Sequence, residues 1–382
     1  MPPILQYGFR PFFFSAALYA AFAVPFWVWT YVGGPAPEGP FDGVAWHAHE
    51  MIFGYLGAVL AGFILTAVPN WTGRLPLSGW PLAGLVGLWL AGRLACALVP
   101  APTPAMALDL AFPAVLAIAV WREVLAGRNW KNAPIALMLT SFGIATGIDH
   151  LAAMGHAPDR LGTRLALAVA TVLIVLVGGR IVPSFTRNWL AKQGATRFPA
   201  SFGRLDSAAI VATVGAAFGW VVAPDATATG LVLLVACVLV GLRLFRWRGV
   251  ATLSEPILLI LHIGYAWLTV SLGLLGLAAV APGIFPAEAG LHALAAGAVG
   301  TMTLAVMTRA SLGHTGRPII ADHSTLGIYG FVTLGALLRV AAPFADGWYL
   351  AVLLAGGGLW SAAFLLFAIR YAPVLWGRRV GS

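Results

Sequence analysis

Long apolar runs alternate with short polar stretches along the whole chain. A hydrocarbon core about 30 Å thick requires roughly 20 apolar residues in each helix that crosses it. Twelve runs reach that length, so the pattern predicts twelve transmembrane helices. The predicted helices span residues 12–33, 46–68, 79–99, 104–122, 132–154, 160–183, 203–222, 226–243, 254–280, 290–312, 322–343 and 348–372.

The composition is typical of a membrane protein with many spans. Of the 382 residues, 60% are hydrophobic and 9% are charged, whereas a soluble domain carries about 25% charged residues. The stretches between the predicted helices are short, the longest being 184–202. We therefore expect an all-α bundle that forms a single transmembrane domain over residues 1–382. The two cysteines, Cys96 and Cys237, lie in predicted helices and form no CxxC motif.

Charged residues fall unequally on the two sides of the predicted bundle. The side of the N-terminus receives most of the basic residues, namely Arg10, Arg74, Arg122, Arg128, Lys131, Arg180, Arg187, Lys192, Arg197, Arg204, Arg243, Arg246, Arg248, Arg309, Arg317, Arg370, Arg378 and Arg379. The opposite side collects Glu38, Asp42, Asp109, Asp159, Asp225, Glu288 and Asp346. An excess of Lys and Arg marks the cytoplasmic side, so we expect both termini in the cytoplasm. The net charge of +9 then reflects topology and contact with membrane lipid, and we expect no nucleic-acid partner.

Histidines are predicted at both ends of the bundle. Four of the eight lie at the outer ends of three helices: His47, His49, His150 and His292. Imidazole is the commonest metal ligand, although a lone histidine in a membrane often only bonds to a neighbouring helix. Four at one depth favour a metal site, for which haem and copper are both suitable. His262, His314 and His323 are predicted near the inner side, too far from His292 to share one metal ion with it.

The spacing of the first two histidines indicates that they play different roles. Residues two apart on an α-helix point about 200° away from each other. His47 leads a column of smaller residues that includes Gly54 and Ala58, and such columns mark close helix approach or room for a flat macrocycle. We therefore expect His47 to point inward as a ligand. His49 would serve a second metal or contact another helix.

Other polar residues in the predicted helices leave alternatives open. Glu50 and Asp149 flank His47 and His150, where they would orient the imidazoles, pass protons, or simply lie at the wet ends of helices. Arg93 would bind a haem propionate or, alternatively, pair with an acidic residue. Tyr265 follows His262 by one helical turn, as either a redox tyrosine or an ordinary aromatic contact.

Five segments of the chain resemble the NnrS family of bacterial membrane proteins. They occur in the family's order and span nearly the whole chain. The segments are GFRPFFFSAALYAAF at 8–22, WHAHEMIFGYLGAVLAGFILTAVPNWTG at 46–73, GGRIVPSFTRNWL at 178–190, LHIGYAWL at 261–268 and HALAAGAVGTMTLAVMTRASLGHTGRP at 292–318.

The resemblance implies a twelve-helix protein of the bacterial inner membrane that contains haem b and copper. The family is associated with nitric oxide metabolism, denitrification and relief of nitrosative stress. Its motif histidines correspond to His47, His49, His150, His262, His292 and His314, which the resemblance makes cofactor and metal ligands. With the predicted topology, these would form an outer site and a separate inner site near His262 and His314. His323 lies outside the motifs.

The functional expectation is a haem and copper protein that binds nitric oxide, with reduction of the gas favoured but not established by the sequence. A quinol or a cytochrome would supply the electrons. Two alternatives remain open: a haem-dependent sensor or assembly factor without catalysis, and a secondary transporter, for which twelve helices are typical. No convincing internal repeat supports the transporter.

Overall fold

The structure, a computed structural model, describes residues 1–72, 75–128 and 130–381, so Arg74 of the basic side lies outside the described residues. Within these ranges the chain is helical and contains no strand. Twelve helices of the described chain are long and apolar enough to cross a membrane. The prediction of an all-α bundle with twelve transmembrane helices is therefore confirmed.

The twelve helices follow one another with short connections. Their bounds are α1 Phe9–Tyr31, α2 Gly43–Pro69, α3 Trp80–Leu98, α4 Pro102–Ala126, α5 Trp130–Ala153, α6 Leu161–Lys192, α7 Arg204–Val222, α8 Thr227–Phe245, α9 Pro256–Val280, α10 Ala287–His314, α11 His323–Phe344 and α12 Asp346–Trp376. The location of the two termini relative to the membrane stays a prediction from the loop charges.

Helix α6 extends well beyond its predicted end at residue 183. Its last part contains basic and polar residues, which interrupt the apolar run on which the prediction depended. Val182, Thr186 and Leu190 nevertheless recur every four residues and are all buried. One packed face at helical spacing is enough to continue the helix, whatever the polarity of the other face.

Three of the spanning helices contain a π-helical segment: Glu50–Leu56 in α2, Ile174–Gly178 in α6 and Ala293–Val299 in α10. In such a segment each backbone bond spans five residues instead of four, so the side chains that follow are rotated relative to a regular α-helix. Faces deduced from 3.6 residues per turn are therefore unreliable along these stretches. Segments of this kind often occur at functional sites.

Packing divides the chain into two compact units. The first unit contains Met1–Val169, Ala310–Pro318 and Phe367–Ser382, and the second contains Ala170–Arg309 and Ile319–Leu366. The first unit thus holds α1 to α5 with four of the motif histidines, His47, His49, His150 and His314. The second unit holds His262 and His292. A single domain over residues 1–382 stays a prediction.

Candidate metal centre

Four helices of the first unit each contribute one buried side chain with a lone-pair donor to the same small volume. These side chains are His49 of α2, Cys96 of α3, Asp109 of α4 and His150 of α5, which we call the donor cluster. One ligand atom of each lies within 4.8 Å of the others. All four residues are at most 1% exposed.

The donor atoms face one another across short distances. His49 Nε2 lies 2.9 Å from Asp109 Oδ2 and 3.7 Å from Cys96 Sγ. His150 Nε2 lies 3.0 Å from the same Asp109 oxygen. Thiolate, imidazole and carboxylate are the protein ligands of zinc, and thiolate with imidazole also suits copper. The arrangement is therefore suited to one transition-metal ion.

The other ring nitrogen of His49 is held by a second carboxylate. His49 Nδ1 lies 2.9 Å from Asp149 Oδ2, and Thr163 Oγ1 donates to Asp149 Oδ1 at 2.9 Å. An imidazole between two carboxylates carries either two protons or one proton and a metal ion, because a bare nitrogen lone pair would face an anionic oxygen. Metal-bound histidines usually donate their outer N–H to such a carboxylate.

A buried arginine holds the far side of Asp109. Arg93 donates from Nη1 to Glu50 Oε2 at 2.6 Å and forms a second ion pair from Nη2 to Asp109 Oδ1. The Tyr19 hydroxyl also donates to Glu50 Oε2. Arg93 is therefore paired with acidic residues, one of the two alternatives for it, and it leaves Asp109 Oδ2 directed at the imidazoles. Glu50 binds Arg93 and Tyr19 and does not contact His47 in any of these bonds.

Two glycines provide the space that this polar group needs. A Cβ atom at Gly92 would lie 2.7 Å from Asp109 Oδ1, and one at Gly54 would lie 2.8 Å from Glu50 Oε2. Contacts under 3.0 Å force atoms to shift, so alanine at either position would displace a carboxylate. The column of small residues in α2 thus accommodates charged side chains.

Aromatic rings cover the donor cluster. Phe41, in the connection before α2, stacks on His49 with ring centroids 4.1 Å apart and lies 4.8 Å from the ring of His150. Phe53 lies 4.9 Å from His49 on α2. These contacts shield the polar atoms from water and lipid, and in such an environment each electrostatic interaction strengthens.

The side chains around His49 and His150 fit a single ion and do not fit a haem. Both ring nitrogens of His49 are already matched to carboxylates, and both Nε2 atoms reach the same oxygen of Asp109. Phe41 packs against both imidazoles where a macrocycle would need a flat open space. The donor set is therefore suited to a metal ion held by protein side chains rather than by a macrocycle.

The structure brings only two of the predicted outer histidines, His49 and His150, into the donor cluster. His47 instead stacks on Trp27, with ring centroids 4.1 Å apart. His292, in the second unit, has Nδ1 2.8 Å from the Glu288 carbonyl oxygen. His49 thus lies among the buried donors and His47 does not, while His47 as the inward ligand stays a prediction from the small-residue column.

The predicted inner residues lie in different surroundings. His262 Nε2 is 2.9 Å from Thr186 Oγ1 within the second unit. His314 belongs to the first unit, where its ring centroid lies 5.5 Å from that of Phe9. Tyr265 is hydrogen-bonded to Arg243 at 3.0 Å, which agrees with a structural contact.

Sequence reasoning missed Cys96 and Asp109. Cys96 offered no CxxC motif, and Asp109 was counted with the acidic residues of the outer side, whereas it is buried inside α4. A signal was nevertheless present, because Arg93 and Cys96 are three residues apart and share one face of α3. A buried arginine requires buried carboxylates, and few acidic residues fall within the apolar runs.

Comparison with known proteins agrees with the sequence motifs. The family model described as NnrS protein matches residues 3–379. A search of curated proteins finds no match to the chain. The family match covers nearly the entire chain, including every helix that contributes to the donor cluster. The chain therefore belongs to the NnrS family of membrane proteins.

Proposed function

We propose that this protein is a membrane metalloprotein that binds nitric oxide at an ion held by the donor cluster. The observation that carries the proposal is the convergence of His49, Cys96, Asp109 and His150 from four helices of an NnrS family member. Membership in the family supports the link to nitric oxide. The buried donors supply the site at which the gas would act.

Charge supports a bound cation in this cluster. Two carboxylates, Glu50 and Asp109, pair with the guanidinium of Arg93, and a third, Asp149, contacts His49. A deprotonated Cys96 would add another negative charge. Uncompensated charge in a dry interior is costly, and a bound metal ion is the direct way to balance it.

Copper is the ion that the ligand set and the family together favour. Two imidazoles and one thiolate form a set found in copper centres that transfer electrons. Zinc accepts the same ligands but has no redox chemistry. Bound copper would supply an open-shell metal that binds nitric oxide and exchanges single electrons.

The protein residues have separate roles in this proposal. His49, Cys96 and His150 would hold the ion directly. Arg93 fixes Asp109 by one oxygen, and Asp149 holds the outer nitrogen of His49, so that His49 Nε2 is directed at the other donor atoms. Phe41 excludes water from the two imidazoles. Loss of an outer partner typically lowers metal affinity about 10- to 100-fold.

Haem b, which the family resemblance implies, does not fit the packing around His49, His150 and His262. His262 is the clearest case. A Cβ atom added to Gly249 would lie only 2.8 Å from His262 Nδ1, so Gly249 packs directly against the imidazole and leaves no room for a macrocycle. We therefore derive no step through haem. A visible spectrum of the purified full-length chain tests this cofactor, since haem gives a Soret band.

The proposal is tested on the full-length protein in nanodiscs. We expect metal analysis to find about one copper ion per chain, with a thiolate-to-copper absorption band that Cys96→Ser removes. Nitric oxide should change the electron paramagnetic resonance of the copper. Absence of copper from the wild-type protein, or a copper signal that is indifferent to nitric oxide, would refute the proposal.

One further assay separates the alternatives for activity. Anaerobic consumption of nitric oxide in the presence of a quinol or a reduced cytochrome would establish an oxidoreductase. Binding without consumption would favour a sensor or an assembly factor. Movement of a solute across sealed vesicles, with no response to nitric oxide, would favour a transporter.

A further inference from the structure

A small cavity lies directly beside the donor cluster. It is bounded by α2, α4 and α5 of the first unit, with Asp109 in one wall. Its volume of about 10 Å³ is enough for about one water-sized molecule. The surrounding side chains are buried, and most are aromatic or aliphatic, including Phe53, Phe112 and Phe142.

Two features of the sequence explain why the space is not filled. Gly57 follows the π-helical segment of α2 and contributes no side chain to the cavity wall. A Cβ at this position would lie 3.6 Å from Phe142 Cε1 and 3.8 Å from Phe112 Cε1, at ordinary van der Waals contact. The gap between these rings therefore accommodates about one methyl group. Pro113 forms another part of the wall within α4.

The polar atoms at the cavity wall already have partners. Thr146 Oγ1 donates to the Phe142 carbonyl oxygen at 3.2 Å. Asp109 Oδ2 is engaged by His49 and His150, and Oδ1 is engaged by Arg93. A buried water needs about two to four polar partners, and an apolar cavity without them stays dry. The cavity is therefore suited to an uncharged, weakly polar occupant.

We propose that this cavity is a docking pocket for a small uncharged diatomic gas beside the ion-binding site. This inference rests on the proposed function for the identity of the gas, nitric oxide, but the size and polarity of the pocket come from its own walls. A gas that dissolves in hydrocarbon reaches such a pocket through the helices. The carboxylate of Asp109 then separates the docked gas from the donor atoms of His49 and His150.

Filling the pocket with a single methyl group gives a precise test. Gly57→Ala places that methyl at ordinary contact distance, and alanine favours helices over glycine by about 1 kcal/mol, so the fold should persist. Gly147→Ala is the matched control, because its Cβ would lie 3.7 Å from Leu110 Cδ2 and Gly147 does not line the pocket. Both variants should retain the copper content of the wild type.

Stopped-flow mixing of the copper-loaded full-length protein with nitric oxide provides the first readout. We expect Gly57→Ala to slow association about tenfold, the change produced by a barrier about 1.4 kcal/mol higher. Gly147→Ala should associate at the wild-type rate. Equal rates for Gly57→Ala and Gly147→Ala would overturn the pocket as a docking site, while leaving the copper centre intact.

A second readout does not depend on metal or on nitric oxide. Crystals of the metal-free full-length protein are pressurised with krypton, which is apolar and similar in size to the expected gas. We expect krypton density beside Gly57 in the wild type and none there in Gly57→Ala. An empty pocket in the wild type would refute the inference. Krypton in the pocket of a protein that binds no copper would instead refute only the proposed function.

Discussion

Each unit of the molecule contains a buried cluster of charged side chains, and the two clusters are built in opposite ways. In the donor cluster of the first unit, lone-pair donors from four helices face one another and arginine lies at the edge. In the second unit an arginine occupies the centre. We call Asp206, Arg243, Trp247 and Tyr265 the arginine cluster.

The guanidinium of Arg243 donates several hydrogen bonds to other groups of the protein. It donates to Asp206 Oδ1 at 2.9 Å, to the Val175 carbonyl oxygen at 2.9 Å and to the Tyr265 hydroxyl at 3.0 Å. Trp247 lies under the guanidinium, 5.2 Å from it. Val175 belongs to the π-helical segment of α6, so Arg243 stabilises a carbonyl of that segment.

The balance of charge separates a structural cluster from a binding site. Asp206 meets two cations, Arg243 and Arg246, at 2.9 and 3.4 Å. In the first unit, Arg93 alone meets two carboxylates, and a third contacts His49. The arginine cluster therefore needs no further cation, whereas the donor cluster has fewer arginines than carboxylates around it and brings four ligand atoms within 4.8 Å of one another. Burial alone does not distinguish them.

The largest effect is expected in the arginine cluster. Replacement by Arg243→Met leaves Asp206 without its closest partner, and breaking a buried ion pair costs about 3–5 kcal/mol. We expect this loss in the free energy of unfolding, with no change in copper affinity of the molecules that fold. Denaturant titration in mixed micelles measures it.

The matched control is Arg246→Met, because Arg246 is partly exposed and only 3.4 Å from the same carboxylate. Exposed pairs contribute about 0–1 kcal/mol, so its effect should be small. An equal loss in both variants would contradict the assignment of Arg243 as the centre of the cluster.

The next largest effect is expected for His49, a proposed ligand of the copper ion. His49→Ala removes one imidazole from the donor cluster and should lower copper affinity by more than about 100-fold, beyond the range seen for outer partners. Competition with a chelator measures the affinity. His47→Ala separates the geometric assignment from the sequence prediction. A larger loss for His47→Ala than for His49→Ala would show that the small-residue column, and not the donor cluster, marks the ligand.

A smaller effect is expected for the carboxylate that orients His49. Asp149→Asn keeps the shape but removes the anionic acceptor at Nδ1, and we expect copper affinity to fall about 10- to 100-fold. Asp159→Asn changes an acidic side chain that is 91% exposed and serves as the control. Indistinguishable affinities for the two variants would show that Asp149 does not support the ligand.

The smallest effect is expected for Thr163, which contacts Asp149 and not His49 itself. Thr163→Val removes the hydrogen bond to Asp149, which contributes about 1 kcal/mol and hence roughly fivefold in copper affinity. Thr140→Val removes a comparable bond, to Trp121, away from the donor cluster. In the background of Asp149→Asn, Thr163→Val should have little additional effect. Additive losses in that double variant would place Thr163 outside this chain of contacts.

Much of the fold followed from local pattern, because membrane crossing depends on the length and polarity of consecutive residues. The twelve helices were predicted this way. The predicted end of α6 was too early, because basic and polar residues interrupt its apolar pattern while one face remains packed. His49 and His150 were predicted to be metal ligands on the basis of depth. Their convergence with Cys96 and Asp109 depends on which face of each of the four helices points inward. Residue spacing within one helix does not determine how that helix is rotated relative to its neighbours.

The amino-acid sequence by itself determined the helices, the family and the presence of unusual ionisable residues in apolar surroundings. Burial of charge is costly, so Arg93 and Asp109 had to find partners, but many pairings were open to them. Only the tertiary structure decided that these residues support one cluster around His49. The rotation introduced by the π-helical segment Glu50–Leu56 and the close approaches at Gly54 and Gly92 are properties of packed helices, and they set which side chains converge.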